Sequence, residues 1–170
     1  MPRFALLTGM FIWSVVFSQP VAAGEVLWNA NAQKNNWWLA EGTTATIEKG
    51  HLKLTMKAGV WQGAGLLLWK KIHATDTLRI TITAPSREIV NHLRIRFKCG
   101  RDKKSGAMSE IIKMVDFLNE DESSAGLWHF DFPVKTFSQA DTTLQMIVVS
   151  AVLRKAPEGA IGIVNVVCNP

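Results

Sequence analysis

The chain has 170 residues, of which 48% are hydrophobic and 19% charged, and a formal net charge of +5. That length is one domain's worth and allows a real core, and the mild basic excess permits an anionic partner without requiring one. The two cysteines, Cys99 and Cys168, have no CxxC or HxxxH spacing beside them, which excludes a zinc site.

The first predicted element is a leader. Arg3 supplies a positive charge, "FALLTGMFIWSVVF" an apolar stretch, and "QPVAA" a Pro20 ahead of Val21 and Ala23 at the −3 and −1 positions. This is the layout of a secretory signal peptide. The apolar stretch is short for a bilayer span, which needs roughly 20 residues. Residues 1–23 are therefore expected to be a signal peptide, and 24–170 a single exported domain, periplasmic or secreted. No later segment is apolar and long enough to span a membrane. Losing Arg3 reduces the 19 basic residues to 18 against 14 acidic ones, a net +4 over the remaining 147 residues. An exported protein meets oxidising conditions, so a Cys99–Cys168 disulfide is expected, with two separate core thiols as the alternative.

Next comes "NNWWLAEG", with Trp37 and Trp38 adjacent. In a strand, neighbours point to opposite faces, so one indole can enter a core while the other faces a cleft or a covering loop. "TATIEKGHLKLTMK" reads as a hairpin turning at Glu48-Lys49-Gly50, with Leu52, Leu54 and Met56 on one face. "AGVWQGAG" is glycine-rich and reads as a loop or bulge around Trp61. "TLRITIT" turns Leu78, Ile80 and Ile82 inward and Arg79, Thr81 and Thr83 outward, and Pro85 ends it. "HLRIRFKC" repeats the pattern, with Leu93, Ile95, Phe97 and Cys99 opposed to Arg94, Arg96 and Lys98. "SEIIKMVDFLNEDE", 109–122, fits a helical face and a strand face, and its mixture of β-branched and aromatic residues favours the strand. "LWHFDFPV" alternates Trp128, Phe130 and Phe132 with His129 and Asp131, "TLQMIVVSAVL" is apolar on both faces like a central strand, and "GAIGIVNVVC" closes the chain. Roughly eight to ten strands at spacings of about 8 to 16 residues predict an all-β, antiparallel two-sheet sandwich.

The order of "WW", "GHLKLTM", "WQGAGLLL", "LRITITA", "LRIRFKC", "LWHFDFPV" and "GAIGIVNVVC" resembles the galactose-binding-like jelly roll of many carbohydrate-binding modules. The resemblance spans nearly all of 24–170 and rests on pattern. It implies a jelly roll that binds carbohydrate. Such domains often hold a structural calcium through an aspartate in the last strand. Asn165 stands at that position and removes one charged ligand, so no cofactor is expected, with a structural calcium as the alternative.

Sugar binding combines an aromatic face for the C–H side of a pyranose with polar groups for its hydroxyls. The candidates are Trp61 with its neighbour Gln62, then Trp38 as a second wall, ahead of Trp37 and Trp69; Trp28 and Trp128 read as packed residues. Arg79, Arg94, Arg96 and Lys98 would form one cationic stripe if their strands share a sheet. Arg94 and Arg96 could then take the carboxylates or sulfates of an acidic polysaccharide. The bland reading of that stripe is a solvated face that blocks edge association. Nucleic acid is a poor fit, because the basic residues lack interleaved aromatics. Catalysis is not expected. Asp116, Glu120, Asp121 and Glu122 read as a solvated loop, and His129 with Asp131 has no nucleophile or metal spacing to complete it. The competing function is an accessory or structural protein of a cell-envelope or surface assembly, holding a protein partner.

Overall fold

The computed structural model describes residues 24–30, 37–55, 61–101, 105–124, 126–152 and 160–170, excluding the side chains of Trp61, Gln62 and Val152. The leader expected at 1–23 lies outside the described residues, as does Met56. Two antiparallel sheets face each other across an apolar core. Sheet one runs β10 (Leu127–Pro133), β6 (Thr77–Thr83), β12 (Ile161–Asn169), β4 (His51–Thr55), β3 (Thr44–Glu48), and β1 (Glu25–Asn29) also pairs with β12. Sheet two runs β2 (Trp37–Leu39), β5 (Trp61–Ile72), β11 (Thr142–Val152), β7 (Leu93–Gly100), β8 (Ala107–Met108), with β9 (Ile112–Lys113) on β7. The all-β sandwich expected from the alternating runs is the observed fold.

The core is built from the predicted inward faces. Leu52, Leu78, Ile80, Ile82, Phe130 and Phe132 of sheet one meet Leu66, Leu93, Ile95, Phe97, Leu144 and Ile147 of sheet two, and all are buried. Burying each such side chain contributes about 1.5–3 kcal/mol. Trp28 of β1 is fully buried, and Trp128 packs partly buried against the core with Nε1 donating to Ala84 O at 3.1 Å. β11 lies between β5 and β7, so both its edges are paired and its apolar character on both faces follows. The β3–β4 hairpin turns through Lys49 and Gly50, with φ of 49° and 80°. Two positive φ values match the right-handed twist of the flanking strands, and glycine adopts one without strain.

Three expectations are corrected. Residues 109–122 form neither a helix nor a continuous strand: β9 gives way to a 3-10 turn at Met114–Phe117. That turn sends Met114 into the core and puts Phe117 against Phe132 at 4.9 Å, which an alternating strand could not do together. Glycine-rich "WQGAG" is the continuous start of β5, not a loop or bulge. The disulfide is not formed. Cys99 and Cys168 are free thiols on different sheets, each paired in its own ladder, and Cys168 Sγ instead lies 3.3 Å from Asp76 Oδ2. A short helix, α1 (Arg87–His92), was not anticipated; Ser86 caps it after Pro85 ends the strand region.

Candidate functional site

The site begins with the paired tryptophans. β2 is an edge strand beside β5, and alternation divides its indoles. Trp37 packs partly buried against the core, while Trp38 faces outward and is 42% exposed. Trp38 lies opposite Gly65. A Cβ at Gly65 would stand 2.1 Å from Trp38 Nε1 and 2.4 Å from its Cε2, so the indole rests directly on the β5 backbone. Trp38 Nε1 donates to Met146 Sδ on the next strand at 2.9 Å. The segment after β2 is tied down by Ala40 N–H donating to Gly63 O and by Gly63 N–H donating to buried Thr43 Oγ1 at 3.1 Å.

From Trp38 a cross-strand row runs through Gly65, Val148 and Arg96, and the adjacent row holds Leu67, Met146, Lys98 and Met108. Trp38, Arg96, Met108, Ile111, Met146 and Val148 line a groove of about 410 Å³. Its floor is apolar and its one charged lining group is Arg96. Arg96 Nε donates to Ser109 O at 3.0 Å, which spends one of five guanidinium donors and fixes the side chain at the rim. Arg94 folds back instead, with Nη1 donating to Asn91 O and Leu93 O. Of the predicted ligand residues, Trp38 and Arg96 are brought together and Arg94 is not. Trp61 and Gln62 begin β5 opposite Val152 and Ala151; their side chains lie outside the described residues.

The single cationic stripe does not form. Arg79 lies on sheet one, whereas Arg94, Arg96 and Lys98 lie on sheet two. Arg79 is spent locally: Nε and Nη2 grip Asp131 at 2.7 and 2.8 Å, and both terminal nitrogens bond Glu122. Asn119 Nδ2 adds a bond to Asp131 Oδ2 at 2.9 Å. The Arg79 bonds hold the Asp131 carboxyl below its ordinary range, and the Arg87 bonds do the same for Glu120. A general acid needs the opposite shift. His129 Nδ1 lies 3.1 Å from Thr81 Oγ1, so the ring is engaged with a hydroxyl. Among the described residues no three His, Cys, Asp or Glu side chains gather into a group that could hold a metal ion.

Sequence reasoning missed Gly65, Met108, Ile111 and Met146. The available signal was the pair Gly63 and Gly65: glycines two apart in a strand lie on one face and clear it for a neighbour's side chain.

No protein-family model matches the chain, and no curated protein matches it. Solved structures do. A point variant of a family 29 carbohydrate-binding module superposes with a TM-score of 0.52 at 14% identity, covering 88% of this chain and 92% of that one. A low-affinity xylan-binding module of family 86 from Roseburia intestinalis gives a TM-score of 0.45 at 11% identity, covering 84% and 92%. At these identities the likeness is one of fold: the chain has the sandwich seen in carbohydrate-binding modules.

Proposed function

We propose that this chain is an exported, non-catalytic carbohydrate-binding domain whose binding face is the outer surface of sheet two. The observation that carries the reading is Trp38, laid on Gly65, held by Met146 and left exposed along a groove. A fixed indole face is suited to the C–H side of a pyranose, and it is already ordered before ligand arrives. Arg96 at the rim and Lys98 on the same face favour a carboxylate-bearing glycan, so an acidic polysaccharide is the proposed class. Trp61 and Gln62, at the start of the strand that carries Gly65, are retained as proposed contacts. The fold shared with a family 29 module supports the reading.

A second reading draws on the groove floor. Met108, Met146, Val148 and Ile111 form an adaptable apolar surface of the kind that holds protein partners. An accessory subunit of an envelope assembly would use it so.

Titration of neutral and uronate-containing oligosaccharides against tryptophan fluorescence separates the two. Binding is expected for wild type and reduced about tenfold or more in Trp38→Ala, whose circular dichroism should show the fold retained. Added salt should weaken uronate binding through Arg96 and Lys98. A flat fluorescence response across the whole panel defeats the carbohydrate reading.

A further inference from the structure

The groove does not end at Ile111. That side chain is 55% exposed and also lines a second depression of about 320 Å³, bounded by Ser109, Glu110, Phe137, Ser138 and Gln139. Ile111 is therefore the ridge between two adjoining hollows, one on the outer face of sheet two and one beyond its β9 edge.

The two hollows differ in chemistry. The first is apolar with a cation at its rim. The second is built on Phe137, whose ring stacks on buried Phe97 at 3.9 Å and 14°, so the core fixes its position. Polar groups surround it. Ser138 Oγ donates to Ala140 O at 2.8 Å, which leaves its lone pairs able to accept. Gln139 Nε2 donates to Lys135 O at 3.0 Å, which leaves the amide oxygen as an acceptor. The Glu110 carboxylate is exposed at the rim. An ordered aromatic ringed by acceptors is the composition that hydroxyl-rich ligands require. A carboxylate accepts from hydroxyls and repels an acidic substituent, so the unit held here is uncharged.

We infer that the binding site is extended: a linear oligosaccharide places one unit on Trp38, crosses Ile111, and seats a neutral sugar on Phe137 with hydroxyls donating to Glu110 and Gln139. This rests on the Trp38 reading above. It adds a second subsite and a charge order along the chain, with any acidic group at the Arg96 end and a neutral unit at the Glu110 end.

The test is calorimetric titration of xylo-oligosaccharides from dimer to hexamer, with and without a glucuronate branch. Wild type is compared with Trp38→Ala and with the double variant Glu110→Ala, Gln139→Ala. Both residues of the double variant are exposed, so its melting temperature should match wild type. Wild-type affinity should rise about tenfold from dimer to hexamer, a gain of about 1.4 kcal/mol. The double variant should lose that gain and bind the dimer as wild type does. Length-independent affinity in wild type, or full hexamer affinity in the double variant, overturns the second subsite while the Trp38 site stands. No binding of any oligosaccharide by wild type overturns both.

Discussion

A single missing side chain decides where Trp38 can lie. Indoles on a sheet surface normally stand away from the next strand, because that strand presents its own Cβ. Gly65 removes it, and the Trp38 ring settles onto backbone. Gly65→Ala should therefore lift the indole and break its bond to Met146, because the new Cβ would stand 2.1 Å from Nε1. Overpacking at this buried position, beneath a ring that can swing outward, should cost about 1–3 kcal/mol. Glycan affinity should fall, and the tryptophan emission spectrum should shift; an unchanged spectrum would show that the indole does not depend on the glycine. The charged residues follow the same local logic. Arg79 looked available in the sequence, yet Asp131, Glu122 and Asn119 occupy its surroundings, whereas Arg96 bonds a backbone carbonyl beside an open groove. Alternation shows which side of a strand a charge lies on. Which partner reaches it from 43 or 52 residues away was not legible.

At the scale of elements, β2 is the weakest part of the site and the one on which it depends. Three residues at a sheet edge bring little pairing of their own. The link from Gly63 N–H to Thr43 Oγ1, with Ala40 and Gly63 bonded beside it, compensates by anchoring the turn that follows. Thr43→Ala leaves the buried Gly63 N–H without that acceptor and should cost about 1–2 kcal/mol in denaturant unfolding. Hydrogen exchange at Trp37–Leu39 should speed up more than exchange in β11. Thr43→Ser, which keeps the hydroxyl, should restore most of the protection. The sheet ladders were legible where both faces were specified by alternation, as in β4, β6, β7 and β10. They were not legible at 109–122, where Met114, Phe117 and Leu118 reach the core from a tight turn and so follow no single period. α1 was hidden for a related reason: six residues are too few for a helical period to show.

At the scale of the molecule, the sandwich holds together by its core, with its two cysteines unlinked. Burial pushes the Cys99 thiol up to about 11, and burial with the nearby Asp76 pushes Cys168 up to about 12. Both are therefore protonated and unreactive near neutral pH. A thiol reagent should find two slow groups in the native protein and two fast ones after unfolding, and reducing agent should leave the melting temperature unchanged. A drop in melting temperature on reduction would restore the disulfide. The expectation of export suggested that bond, but redox compartment sets only the opportunity; geometry decides the pairing, and Cys168 Sγ lies against Asp76 Oδ2 instead. The same division runs through the whole protein. Sequence by itself determined the all-β class, the inward faces of the strands and the opposed fates of Trp37 and Trp38, because a period of two is written in neighbouring residues. Only the tertiary structure decided that Gly65 lies under Trp38, that Arg96 and not Arg79 borders the groove, and that Ile111 joins two hollows. Those relations arise from register between strands far apart in the chain, and pairing across a sheet leaves no periodic mark on either strand alone.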